Sequence, residues 1–136
     1  MDRASIVAAM QVKPEINTSI EIERRMNFIK TSLLNSGCKH LILGISGGVD
    51  STTCGRLAQL SVEQLNAEKQ TDSYRFIAVR LPYNTQQDEA DAQTAVSFIS
   101  PTKCITANVQ PGTDGVHSAT LEALADGSLS IVVVTH

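Results

Sequence analysis

The stretch Leu41-Ile42-Leu43-Gly44-Ile45-Ser46-Gly47-Gly48-Val49-Asp50-Ser51 carries an apolar run straight into a glycine turn. Such a run reads as a buried strand, and helical spacing resumes after the turn. Two consecutive glycines let the backbone approach an anion closely and take up positive φ without Cβ strain. The helix that follows offers unpaired N–H groups and the positive end of its dipole. A Walker loop would place a Lys before its Ser/Thr. Here Asp50 stands beside Ser51 instead. A carboxylate next to phosphates repels them unless a divalent cation lies between, so the stretch predicts metal-bridged nucleotide phosphates. A Gly-Gly turn can be a packing solution alone, and an acid is favoured at a helix start by about 0.3–1 kcal/mol. Neither accounts for the two serines that flank the turn, Ser46 and Ser51.

Outward from this turn, helix and strand alternate. Residues 2–11 carry Ile6, Val7 and Met10 at helical spacing, before Pro14 interrupts. Thr18 with Glu21 three places on reads as a capping box. It opens a helix with Ile22, Met26, Ile29 and Leu33 on one face, Gly37 as its stop, and Ile20, Phe28 and Leu34 outside the stripe. Strands are expected at 40–46, 74–81 and 104–109. A helix is expected over 49–68, with Val49, Thr53, Leu57 and Leu60 inward, and another over 86–99, with Ala92, Val96 and Ile99 inward. Pro111-Gly112-Thr113-Asp114-Gly115 reads as a loop, 116–125 as a short helix, and Ile131-Val132-Val133-Val134 as a last β-branched run. This alternation predicts an α/β fold: a Rossmann-like, three-layer α/β/α arrangement with a mostly parallel sheet, preceded by N-terminal helices. Ligands in such sheets bind beyond the carboxyl ends of the strands. The glycine turn and the loop after Leu81 both lie at that edge.

Composition sets limits on partners. At 136 residues one domain is expected, with a helical lead-in over 1–37, a core over 38–125 and a divergent tail over 126–136. A net charge of −3 offers no basic footprint for nucleic acid. No apolar stretch is long enough to span a bilayer, and the N-terminus has no signal-peptide pattern. Cys38, Cys54 and Cys104 have no metal spacing and read as reduced, buried thiols in a cytoplasm. His40, His117 and His136 are scattered and give no ligand pair. Asp72, Asp88, Glu89 and Asp91 read as a solvated face and an acidic helix start.

Ser46-Gly47-Gly48-Val49-Asp50-Ser51 resembles the SGGxDS loop of the N-type ATP pyrophosphatase (adenine-nucleotide alpha-hydrolase) superfamily. Leu43-Gly44-Ile45 before it is similar to the version in bacterial ammonia-dependent NAD synthetases. So are Phe76-Ile77-Ala78-Val79-Arg80-Leu81-Pro82-Tyr83 with Gln86-Gln87-Asp88-Glu89, and Lys13-Pro14-Glu15-Ile16 with the helix after it. The resemblance covers about residues 1–125. It implies an amide ligase in which ATP adenylates the nicotinate carboxylate of deamido-NAD and ammonia displaces AMP to give NAD⁺, with pyrophosphate as co-product. It further implies that Gly44, Ile45, Ser46, Gly47, Gly48, Val49, Asp50 and Ser51 hold ATP, that Asp50 ligates Mg²⁺, and that Arg80 and Gln86 reach ATP. A cytoplasmic homodimer is implied as well.

The chain departs from the pattern. The family's second half carries an Arg-rich helix, a Gly-Thr-Asp-His-type segment with a metal-binding acid beyond it, and lysines that reach the nucleotides; these do not follow here. The expectation is a truncated chain that binds Mg·ATP weakly and turns over little or not at all. Two alternatives stand beside it: a non-catalytic nucleotide-binding or dimerisation module, and another ATP pyrophosphatase with this loop, such as a tRNA-modifying enzyme.

Overall fold

A computed structural model describes residues 2–11, 15–82 and 89–124. Five helices and three strands follow in the order α1 (Arg3–Ala9), α2 (Thr18–Ser36), β1 (His40–Gly44), α3 (Val49–Lys69), β2 (Arg75–Arg80), α4 (Glu89–Ile99), β3 (Lys103–Thr106) and α5 (Gln110–Leu124). The strands form one parallel sheet in the order β1-β2-β3. Leu41 pairs with Phe76, and Gly44 with Val79. Each strand-to-strand connection runs through a helix, as parallel pairing requires. The α/β class expected from the alternation is therefore the observed one.

Strand pleating sets the core. Phe76 and Ala78, two residues apart on one face of β2, are fully buried. Leu33 from α2, Ala58, Val62 and Leu65 from α3, and Ala95 and Ile99 from α4 join them. On the face of α3 turned to the core, the sequence reading needs correction. Val49 is 81% exposed, and the buried positions are Gly55, Ala58, Gln59, Ser61, Val62 and Leu65. Small and polar residues take the inner stripe because the helix lies close to its neighbours. A Cβ built on Gly55 would come within 2.7 Å of Ile99 Cδ1 and 3.2 Å of Ile45 Cδ1. The buried polar groups are satisfied locally. Ser61 Oγ donates to the Leu57 carbonyl, and Gln59 Oε1 accepts from the Thr102 amide at 2.9 Å.

Other boundaries also shift. Asn17, not Thr18, caps α2; its Oδ1 accepts from the Ile20 amide at 3.2 Å. Glu21 lies buried, its Oε2 accepting from Arg24 Nη2 at 2.9 Å. Gly37 ends α2 in the left-handed conformation, as expected. Ile20, Phe28 and Leu34 lie exposed off the packed stripe, but so does Ile22, placed on that stripe by its spacing. The strands are shorter than expected, and β3 is exposed along its whole length. The Pro111–Gly115 cluster is helical. Proline is tolerated in a first turn, where its missing N–H has no partner to lose, and the Thr113 amide donates to the Val109 carbonyl at 3.0 Å. All three cysteines are exposed rather than buried. On the sheet face away from α3, Ile42 is 68% exposed and Ile105 42%. Among the described residues no helix is long and apolar enough to cross a membrane. The 131–134 run and the tail lie outside the described residues.

Candidate functional site

β1 leaves the core at Ile45, which is 4% exposed and whose amide donates to the Val79 carbonyl at 2.8 Å. The loop therefore starts from a fixed point beside the end of β2. Ser46 and Ser51 close it: their hydroxyls lie 3.1 Å apart, and the Ser46 amide donates to Ser51 Oγ at 3.3 Å. Ser46 Oγ also accepts from the Gly48 amide at 3.3 Å. The serines thus shape the turn, a role beyond the phosphate donors foreseen from their position.

Gly47 has φ +92°. A Cβ at that position would fall 2.9 Å from the Ala92 amide nitrogen and 3.1 Å from the Asp91 carbonyl carbon. Only glycine fits on both counts, and the loop rests directly on the first turn of α4. Gly48 is the N-cap of α3, and no side chain caps that end. Asp50 lies in the first turn, exposed, where the dipole favours its negative charge. Val49 and Asp50 face outward, while Gly44 sits 3.5 Å, measured from a built Cβ, from Leu81.

Arg80 closes β2, one residue beyond the pairing of Val79 with Gly44. The structure brings it and residues 44–51 to the same carboxyl edge of the sheet. Its Nη2 donates to Glu89 Oε2, and its Nε is buried with no partner among the described residues. Glu89 Oε1 accepts from Gln93 Nε2 at 2.9 Å. The Arg80 hydrogen bond, followed by that from Gln93, holds the Glu89 carboxyl below its ordinary pKa; the same contact raises that of Arg80. Glu89 was read from sequence as a solvated helix-start acid. The signal for its role was an acid opening the helix that follows a strand-end arginine. Gln86 lies outside the described residues, as do Tyr83, Gln87 and Asp88.

The donor set suits one kind of cation. Among the described residues no three His, Cys, Asp or Glu side chains converge on a point. Asp50 alone cannot cage an ion, but Mg²⁺ commonly binds through one or two carboxylates plus substrate phosphates and water. Asp50 fits that pattern.

Known proteins match this chain in sequence and in fold. The family model for NAD synthase matches residues 21–129. The chain is 58% identical over 115 residues to an NH(3)-dependent NAD(+) synthetase of Vibrio vulnificus, covering 85% of this chain and 42% of that one. With the corresponding synthetase of Aliivibrio fischeri it is 59% identical over 124 residues, covering 91% and 45%. It thus spans less than half the length of these relatives. The structure of an NAD+ synthetase from Burkholderia pseudomallei superposes with a TM-score of 0.77 at 43% identity, covering 95% of this chain and 53% of that one. An NMN synthetase from Francisella tularensis shares the fold, with a TM-score of 0.63 at 21% identity. This chain, a match to about half of its relatives' length, belongs to the NAD synthase family.

Proposed function

We propose that the 44–51 loop binds Mg·ATP and that this chain supplies the ATP-binding part of an ammonia-dependent NAD⁺ synthetase. In that reaction ATP adenylates the nicotinate carboxylate of deamido-NAD with release of pyrophosphate, and ammonia then displaces AMP to give NAD⁺. The observation that carries the reading is the uncapped start of α3, set at the carboxyl edge of a parallel sheet and braced at Gly47 by α4. Gly44 to Ser51 hold the phosphates with backbone amides and the helix dipole. Such groups stabilise charge where it develops as pyrophosphate departs. Asp50 would hold Mg²⁺ at this edge, where the ion would supply further charge neutralisation. Arg80, at the end of the neighbouring strand, contacts the nucleotide, and Gln86 is assigned the same role by the family resemblance alone.

The family resemblance puts the deamido-NAD contacts and a second Mg²⁺ ligand in the part of the relatives that this chain does not match. We therefore expect weak nucleotide binding and little or no turnover from these 136 residues. A cytoplasmic homodimer is the accompanying proposal, supported by exposed Ile20, Phe28 and Leu34 on α2. A second reading, a nucleotide-binding or dimerisation module without catalysis, is favoured by the same limited span. Family membership weighs against a tRNA-modifying enzyme.

Thermal unfolding with and without Mg·ATP tests the loop. Saturating ligand should stabilise the wild type by RT ln(1 + [L]/Kd). Asp50→Ala should lose most of that shift. Absence of any shift in the wild type would remove the nucleotide reading. An assay of NAD⁺ formation from deamido-NAD and ammonia then separates the ligase from the binding module.

A further inference from the structure

We propose that Glu89, itself held by Gln93, is a positioning residue that fixes the Arg80 guanidinium for a nucleotide oxygen. This rests on the reading of the loop as the Mg·ATP site. The Arg80 side chain is 16% exposed and its Nη2 is bound to Glu89 Oε2. A carboxylate meeting an arginine fork commonly takes two N–H groups at once. Here the second carboxylate oxygen is drawn away, because Glu89 Oε1 accepts from Gln93 Nε2 at 2.9 Å. The guanidinium is anchored through one nitrogen, and its Nε is left buried without an acceptor among the described residues. A buried donor in that state carries a desolvation penalty, which an incoming acceptor oxygen removes.

The placement is specific. Arg80 ends β2 beside the start of the glycine loop, and Glu89 opens the helix whose first turn backs Gly47. The Gln93–Glu89–Arg80 chain therefore links the strand edge to the helix that supports the loop. The acceptor it awaits is a phosphate or ribose oxygen of the nucleotide. Were Glu89 a competitor for the anion, it would be expected to cover the donor that is left open.

The test is calorimetric titration of the full chain with Mg·ATP, alongside NMR of the Arg80 Nε–H. Glu89→Gln should weaken binding on the order of tenfold, the loss of a charge-assisted contact, and should make the Nε–H mobile. Glu89→Asp should restore most of both. In an Arg80→Met background, Glu89→Gln should change affinity by less than about twofold, because its effect passes through Arg80. Equal weakening in both backgrounds would show a structural role and overturn the proposal. Tighter binding in Glu89→Gln would show competition and overturn it as well. If the wild type binds Mg·ATP while Glu89→Gln leaves affinity and Nε–H unchanged, this proposal alone fails. If the wild type shows no binding although its Nε–H is rigid, the nucleotide reading fails, and this proposal with it.

Discussion

Gly47 and Ala92 are in backbone contact: a single added carbon on Gly47 would stand 2.9 Å from the Ala92 amide nitrogen. The loop after β1 and the first turns of α4 are therefore one surface, although more than forty residues separate them in the chain. Gly47→Ala meets this crowding and a φ of +92° together. We expect a loss of about 1–3 kcal/mol in urea unfolding, with the ATP-induced thermal shift reduced beyond what that loss explains. A variant as stable as the wild type would mean that the loop gives way freely.

The cap of α2 distinguishes two neighbouring residues. Asn17→Ala should cost about 1 kcal/mol in chemical denaturation, the usual price of a lost N-cap oxygen. Thr18→Ala should change stability by less, within about 0.5 kcal/mol, because Thr18 lies inside the helix. The reverse order would restore the capping-box reading.

The Arg80–Glu89 pair gives stability a pH signature. The Glu89 pKa is lowered in the folded state, chiefly by the Arg80 hydrogen bond. A depressed carboxylate pKa contributes stability that is present above the unfolded value, near 4.3 for Glu, and is lost as pH falls through the folded value. The urea midpoints of the wild type and Glu89→Gln should therefore differ at pH 7 and draw together as pH falls below the ordinary Glu value of about 4.3 and on through the lowered folded value. A difference that persists unchanged into acid would assign the effect to packing.

Cys38, Cys54 and Cys104 are exposed free thiols. All three should react with an aromatic disulfide reagent in the native state, without denaturant. Protection of Cys54 until unfolding would return it to the core.

What could be read from the sequence, and what could not, follows from the physics. The strand–turn–helix at 41–51 was legible because an apolar run, two glycines and renewed helical spacing follow one another without a gap. The parallel α/β class followed from the alternation. The inner stripe of α3 was not legible, because burial there selects for closeness at Gly55, where an added Cβ would meet Ile99 and Ile45, and Ser61 is buried with its hydroxyl bound to the Leu57 carbonyl; hydrophobicity gives no hint of either. The start of α5 was masked by Pro111 and two glycines, whose local preferences gave way to a cap from Asn108, whose Oδ1 accepts from the Gln110 amide at 2.9 Å. Glu89 was overlooked because an acid at a helix start has an adequate local explanation, and only three dimensions reveal Arg80 beside it.

The close meeting of Gly55 with Ile45 and Ile99 bears on the glycine loop as much as on packing. Ile45 is the residue from which the glycine loop departs, so the contact that seals the core also sets the loop's point of origin. A methyl group gained or lost there would be transmitted to the loop as a displacement of its base. Variants at these three positions should therefore keep their helical content while losing ligand affinity. Packing in the core and the position of the glycine loop are thus set by the same three residues.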